Sequence, residues 1–404
     1  MLFKDVIAQD DVKNHLIQLV HQNRLSHALL FLGKEGSGAL PLALAFANYV
    51  SLISSADGES QAANSLFGEA LPAAVKPENW QDADKWIQQV PGYTKVEGMV
   101  HPDIHFSYPV VPKKSGDKPL STDYIVEWRE FVKQYAYGNA YDWLQFIGAE
   151  NKQGNITAYE CADIIRKLNL KSFESKYKIL LMWLPEYLGN EGNKLLKLIE
   201  EPPPNTLFLL VAENESLILP TILSRTQLIK VPPLLPNEIQ AALIERANTA
   251  PEQARQIAWV CEGNYHEALQ LLQHAGEDWQ SVLREWLNAI LKTGPVAQVK
   301  WVEEISRQGR EKQKQFLRYF NHLLQQSIRL QIIPGFSEQL PEGERDFAAR
   351  LNKIAVLDQQ QAIIEELDKA SYYIERNANA KLLFHALTIK LYHIIAKKEV
   401  VELK

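Results

Sequence analysis

The sequence predicts an α/β domain built on a mostly parallel sheet, followed by a second half that is almost wholly helical. Three observations predict it. Up to about residue 232, short apolar runs alternate with helical periodicities, the order that gives parallel strands. A glycine-rich segment, Gly33 to Gly38, joins the first of those runs to an apolar helix. Beyond Val231-Pro232-Pro233 the strand-like runs stop and apolar stripes at helical spacing take over.

In chain order, Val12, Leu16, Leu19 and Val20 recur at helical spacing and predict a helix over residues 10 to about 22. Residues 28–32 read as a buried strand, and 40–52 as a helix after the glycines. Residues 54–100 change character: Ser, Ala, Gln, Gly and Pro are frequent, and Trp80 and Trp86 stand among acidic and amide residues. Residues 103–108 form a short extended piece leading into a Pro/Lys/Gly loop that ends near Leu120. The aromatic-rich stretch 121–150, with Trp128, Phe131 and Trp143, is expected to be helical decoration outside the core, packing onto the domain or forming a partner surface.

Regular order then resumes. Thr157 and Glu160 have capping-box spacing, which starts a helix running to about 168. Residues 178–184 are a strand. Residues 190–201 are a helix stopped by Pro202-Pro203-Pro204, because a pre-proline residue resists helical geometry. Strands are expected at 207–212 and 227–231. Residues 236–275 read as a few helices with a turn at Gly263. In the C-terminal part, Phe316, Phe320, Leu323, Leu324 and Ile328 form one stripe and Leu383, Leu387, Leu391 and Ile394 another. The expected division is therefore 1–232 for the α/β domain with an insertion at about 54–150, 233–277 for a small helical lid, and 278–404 for a helical domain.

The chain has 404 residues, 46% hydrophobic and 23% charged, ordinary values for a globular protein of two or three domains. A net charge of −6 gives no overall basic field for nucleic acid or anionic membrane, so any DNA contact must be local or shared with partners. Cys161 and Cys261 are the only cysteines, too few for a disulfide framework. No apolar run approaches the ~18 residues that span a bilayer, and the first residues lack the apolar stretch of a signal peptide. A cytoplasmic protein without membrane association is expected.

A strand, glycine loop and helix in this order are where a phosphate-binding P-loop sits. Such a loop needs glycines to let backbone N–H groups wrap phosphates, a Lys for the β/γ phosphates and a Ser or Thr for Mg²⁺. Gly33, Gly36 and Gly38 are present, but Ala39 stands where the Lys belongs and Leu40 where the Ser or Thr belongs. Either the loop is an inherited turn or it keeps residual nucleotide binding. The strand over 178–183 should end in an acidic pair, one carboxylate near Mg²⁺ and one to position water. It ends in Leu184-Pro185-Glu186-Tyr187, with a single carboxylate. No bound cofactor or metal is expected.

Four segments carry a resemblance: Leu25-Ser26-His27-Ala28-Leu29-Leu30-Phe31; His101-Pro102-Asp103-Ile104-His105; residues 193–203 with 205–210; and Leu219-Pro220-Thr221-Ile222-Leu223-Ser224-Arg225-Thr226. Together they resemble the AAA+ clamp-loader family of bacterial DNA polymerase III, in its delta-prime branch. The match covers most of 1–50 and 155–232. Residues 375–383, Glu375 to Leu383, look like the family's collar helix.

The resemblance implies an AAA+-like fold with a lid and a collar used for oligomerisation. It also implies a subunit that hydrolyses nothing itself but scaffolds a loader pentamer, acting within the DNA polymerase holoenzyme. Its implied partners are the gamma/tau and delta subunits, the sliding clamp indirectly or weakly, and primer–template DNA through phosphates. In this family a Ser-Arg-Cys motif offers its arginine to ATP on the next subunit, and here Ser224 and Arg225 match it while Thr226 replaces the Cys. Fixed positive charge there stabilises the charge that develops on a transferring phosphate. Read from the residues alone, Arg225 can equally pair with a nearby acid or cap the preceding helix.

Departures from the family are also legible. Members often carry a four-cysteine zinc module ahead of the His-Pro-Asp segment, and no cysteine lies before Cys161. His101 and His105 are expected to be structural. In the lid, His266 falls where active ATPases place a second sensor arginine. The competing enzyme reading is a gamma/tau-type ATPase with an atypical nucleotide site; a third is an unrelated helical adaptor.

Overall fold

The computed structural model describes residues 1–56, 77–114, 116–150, 152–273, 279–333, 335–336, 342–375 and 378–397. They form two compact units, Met1–Gln273 and His274–Lys404. Part of the expected insertion (57–76), the expected boundary at 277/278, and Arg376 and Asn377 of the collar motif lie outside the described residues.

In the first unit, strands β1 (Ala28–Leu32), β2 (Ile104–Ser107), β3 (Lys178–Trp183), β4 (Thr206–Ala212) and β5 (Gln227–Lys230) form one sheet in the order β2-β3-β4-β1-β5. Every pairing is parallel: Leu29 faces Leu209 on one side and Gln227 on the other, and Leu180 lies between His105 and Phe208. The central strands are buried on both faces, which is why they read as unbroken apolar runs. Their period of two divides the side chains between two cores. Leu29, Phe31, Leu181, Trp183, Leu209 and Val211 face one layer. Leu30, Leu180, Met182, Phe208 and Leu210 face the other.

The first layer contains α1 (Asp10–His21), α2 (Ala39–Ala56), α3 (Trp80–Ile87) and α4 (Tyr93–Glu97), joined by α5 (Ile125–Gln134) and α6 (Ala140–Phe146). The sequence did not signal α3 or α4. The last two helices correct the expectation of decoration. Trp128, Phe131 and Trp143 are fully buried in the main core, with Trp128 stacked on Tyr108 at 4.1 Å and packed on Trp183 of β3 at 5.2 Å. Trp143 places its indole N–H on the Pro109 carbonyl at 2.7 Å, so its polar edge costs nothing to bury. Low-hydropathy spacing hid the core role because a few large rings bury the area that many aliphatics would otherwise supply.

The second layer holds α7 (Ala158–Leu168), whose N-terminus Thr157 caps through the Glu160 N–H at 3.3 Å. Only half of the expected box forms, because the Glu160 carboxylate turns away to accept the Ser121 N–H at 2.8 Å. The helix expected over 190–201 is also corrected. Pro185–Leu195 runs as 3₁₀ turns broken at Gly189, and only α8 (Leu196–Glu200) is α-helical before the prolines. A four-residue helix, α9 (Pro220–Leu223), precedes β5.

Three helices close the first unit: α10 (Pro236–Ala247), α11 (Pro251–Val260) and α12 (Tyr265–Gln273). Gly263, at φ +90°, makes the turn before α12, and its N-terminal approach is so close that a Cβ there would sit 2.7 Å from Pro233. The small core of these helices also takes in Ile7 and Tyr137 from the α/β domain.

The second unit is helical: α13 (Trp279–Asn288), α14 (Pro295–Ser306), α15 (Arg310–Ile332), α16 (Glu342–Ile354), α17 (Leu357–Glu375) and α18 (Ala380–Tyr392). Trp286 stacks on Trp301 at 4.6 Å and donates its indole N–H to Thr388 Oγ1 at 3.0 Å. Phe316, Phe320, Leu323 and Leu324 are fully buried as their stripe predicts, while Ile328 is half-buried. Leu387, Leu391 and Ile394 are buried in the same core.

Candidate functional site

The glycine loop follows β1, at the C-terminal edge of the sheet. Gly33 N–H donates to the Ala212 carbonyl at the end of β4, and Ser37 N–H closes a turn on the Lys34 carbonyl at 3.0 Å. Gly36 and Gly38 have φ of +72° and +95°, a region in which a side chain strains the backbone. Space is just as restrictive. A Cβ on Gly36 would lie 1.9 Å from Asn264 Oδ1, and one on Gly38 would lie 3.2 Å from the Tyr137 ring. Both glycines therefore have a packing reason to be present that requires no phosphate.

What packs there belongs to the chain itself. Tyr137, from the stretch after α5, accepts the Ile7 N–H at 2.7 Å and meets the Tyr265 ring edge-on at 5.1 Å. Burial pushes its phenol up to about 12. The Tyr265 N–H donates to the Gly36 carbonyl at 3.2 Å, and Gln9 bridges the Ser37 and Pro232 carbonyls. Ser37, Ala39 and Leu40 are all buried, Ala39 at 8% and Leu40 at 5% exposure.

His266 closes the same region from α12. Its Nδ1 lies 3.0 Å from Glu35 of the loop and its Nε2 lies 2.6 Å from Asp142 of α6. Burial alone would lower its pKa, but hydrogen bonds to Asp142 and Glu35, with their charges, outweigh it and push the imidazole up to about 10. It is held as an imidazolium. Asn264 adds a 3.3 Å hydrogen bond to Glu35, and Asp142 also takes the Asn139 N–H at 2.9 Å.

At the end of β3, Glu186 is turned onto backbone. Its Oε1 accepts the N–H groups of Glu213 and Asn214 at 2.6 and 2.8 Å, tying the ends of β3 and β4 together. Burial raises its pKa, and those two donors partly offset the effect. Leu184 and Pro185 are buried beside it.

Arg225 lies at the other edge of the sheet, two residues before β5. Its Nη2 pairs with Glu200, the last residue of α8, and its Nη1 donates to the Thr221 carbonyl at 2.7 Å and to Ser224 Oγ at 3.1 Å. Both local roles open to it in the sequence are thus in place, yet the side chain remains 33% exposed. Ser224 and Thr226 fasten the turn by donating to the Thr221 and Leu223 carbonyls at 3.2 and 3.0 Å. Thr226 therefore does with a hydroxyl what a thiol would do more weakly.

The His-Pro-Asp segment is a structural joint. Asp103, 3% exposed, accepts the N–H groups of Phe173, Glu174 and Ser175 at 2.6, 2.7 and 2.8 Å. His101 Nδ1 accepts the Asp103 N–H at 3.2 Å. Burial pulls His105 down to about 4, with Lys167 adding to the effect. Among the described residues no group of three or more His, Cys, Asp and Glu is arranged to hold a metal. No described helix is long and apolar enough to cross a membrane.

The sequence pointed to Gly33, Gly36, Gly38, Ala39, Leu40, His266, Ser224 and Arg225. It missed Tyr137, Asp142, Glu35, Gln9 and Glu200, whose partners are distant in the chain and whose residue types are common in solvent-facing positions. The structure brings the loop and His266 together and leaves Arg225 apart from them.

A family model described as DNA polymerase III, delta subunit, matches residues 8–235. The DNA polymerase III subunit delta' of Bacillus subtilis (strain 168) is 26% identical over 263 residues, 65% of this chain and 59% of that protein. The DNA polymerase III subunit gamma of Buchnera aphidicola is 26% identical over 149 residues, 35% of this chain and 40% of its own. The matched regions thus span less than two thirds of either relative. Among solved structures, a DNA polymerase III gamma subunit-related protein from Thermotoga maritima aligns with 94% of this chain and 98% of its own at 14% identity, with a TM-score of 0.36.

Proposed function

The chain belongs to the DNA polymerase III delta-subunit family, and on that premise we propose that it is a non-catalytic clamp-loader subunit of delta-prime type. It scaffolds a loader pentamer and lends Arg225 to an ATP site on a neighbouring subunit, supporting the loading of a sliding clamp onto primed DNA. The observation that carries the non-catalytic half is the glycine loop. Ala39 and Leu40 supply neither charge nor hydroxyl, and Tyr137, Asn264 and Tyr265 already pack against its glycines. The one carboxylate after β3 is held by its Oε1, which accepts two backbone N–H groups.

Arg225 supports the other half. It is partly exposed, always charged, and set on a turn fastened by Ser224 and Thr226, so a phosphate on an adjoining subunit has access to a planar, multi-donor group. The division is an α/β domain over 1–232, a lid over 233–277, and a collar over 278–404 that joins the gamma/tau and delta subunits. DNA, where touched, is held by phosphates without sequence preference, and the clamp is engaged indirectly or weakly. The site acts in a cytoplasmic assembly. A gamma/tau-type ATPase would need replacements for the missing lysine, hydroxyl and second carboxylate, and Ala39, Leu40, Leu184 and Pro185 at those positions supply none of them.

The decisive experiment is Arg225→Ala in a loader reconstituted from purified subunits, with ATPase measured in the presence of clamp and primed DNA. The reading requires a large fall in turnover at the adjoining site, of the order of the ~10³ that such fingers contribute. Unchanged turnover would remove the finger from the mechanism.

A further inference from the structure

Arg225 and Glu200 come from two segments that the sequence singled out separately: the run ending Ile199-Glu200-Glu201-Pro202, and the Ser-Arg-Thr turn. The fold brings their side chains into an ion pair. We propose that Glu200 is the positioning residue of the arginine finger, holding the guanidinium by one end so that its other edge faces outward. The proposal rests on the finger role proposed above and deepens it.

The geometry supports a division within the guanidinium. Of its five N–H donors, those on Nη1 face the Thr221 carbonyl and Ser224 Oγ, and Nη2 meets Glu200. No described residue accepts a hydrogen bond from Nε. A free arginine in water samples many rotamers, and each one that points away from the neighbour is idle. Three acceptors, on α8, on α9 and on the residue that follows α9, remove most of those rotamers before any phosphate arrives.

Glu200 is placed for this by its own helix. Leu198 and Ile199 are buried under the sheet, which fixes the register of α8, and Glu201-Pro202 ends the helix at that point. The last helical residue is thereby directed at Arg225 while its side chain stays partly in water. Its carboxylate also cancels part of the finger's charge, an effect that acts against catalysis. The pair is partly exposed on both sides, 33% and 43%, so water screens the cancellation while the contact still restricts rotation. Positioning outweighs neutralisation in that setting.

Glu200→Gln keeps the length and an acceptor but loses the charge that draws Nη2. In reconstituted loader with clamp and primed DNA, the variant is expected to lower ATP turnover roughly fivefold with KM for ATP unchanged, because ATP is bound by the neighbour. The same substitution in an Arg225→Ala background is expected to cause no further loss, since Glu200 acts only through the arginine. Thermal unfolding of the isolated variants is expected to match the parent chain, as both side chains are partly exposed. Turnover that is unchanged or faster in Glu200→Gln, or a loss that persists without Arg225, overturns the positioning role. If Arg225→Ala itself leaves turnover unchanged, the finger reading fails first, and that result is distinct from a failure of Glu200 alone.

Discussion

His266 Nε2 lies 2.6 Å from Asp142 Oδ2, a contact that ties the first turn of α12 to α6. With Glu35 on its other nitrogen, the imidazolium sits between two carboxylates at 7% side-chain exposure. The side chain is thus spent on holding α12 to the glycine loop and to α6.

That clasp makes stability depend on pH in a definite direction. The folded state holds the His266 proton up to about pH 10, whereas the unfolded chain releases it near the ordinary 6.5. The stabilisation is fully present below about pH 6.5 and is lost as pH rises through 10. Urea unfolding of the full chain between pH 6 and 10 is expected to show a falling midpoint that is much flatter in His266→Gln. Comparing the two chains cancels the contributions of Lys13, whose ammonium burial holds below its ordinary range, and of Tyr137, whose phenol burial pushes up. At pH 7, His266→Ala is expected to cost roughly 3–5 kcal/mol, because it leaves two carboxylates facing each other with no cation between them. Parallel pH profiles for parent and variant would remove the clasp from the account.

Restoring the missing P-loop residues is not expected to restore nucleotide binding. In Ala39→Lys/Leu40→Thr the new ammonium would enter a buried position, and Tyr137 and Asn264 would still pack on Gly38 and Gly36. Isothermal titration with Mg-ATP is expected to give no micromolar binding for either the parent or the double variant. Micromolar, Mg²⁺-dependent binding by the parent chain would revive the ATPase reading.

The parallel strands were legible in the sequence because burial on both faces leaves continuous apolar runs, and the turn from Gly33 to Gly38 was legible because glycines gather where the backbone takes positive φ. What packs on that turn was not. Tyr137 reaches the loop, and Asp142 reaches His266, from a stretch that shares no period or motif with the loop, and only the folded chain brings them together. The 3₁₀ turns over Pro185–Leu195 escaped for a different reason: Gly189, at φ +50°, breaks a stretch whose apolar spacing still reads as helical. Spacing reports which face is buried, and it is silent on which helical geometry delivers it.

The aromatic stretch offers a test of its own status. Trp128 touches Tyr108, Phe131, Trp143 and Trp183 and is fully buried. Trp128→Ala is expected to cost about 3–5 kcal/mol, the range for emptying a large aromatic site in a core. A decorative helix would tolerate the change with a shift of a few tenths. Denaturant unfolding followed by far-UV circular dichroism distinguishes the two, and a small shift would return α5 to the periphery.

Asp103 allows a sharper prediction about the His-Pro-Asp segment. Its two oxygens accept three backbone N–H groups from 173–175, and the residue is buried, so those donors have no ready replacement from water. Hydrogen bonds to a charged acceptor contribute about 1.5–3 kcal/mol each at most, and they share one carboxylate here, so Asp103→Ala is expected to cost about 3 kcal/mol in total. Asp103→Asn keeps one acceptor oxygen but brings an NH₂ group against donors, and is expected to cost nearly as much. The loss should be local in its first effect. Amide hydrogen exchange at Phe173, Glu174 and Ser175 is expected to accelerate before the sheet amides of Ile179 to Trp183 do, since the loop is held by the carboxylate and the strand by its neighbours in the ladder. Equal acceleration throughout β3 would mean that Asp103 supports the whole strand rather than the loop that leads into it.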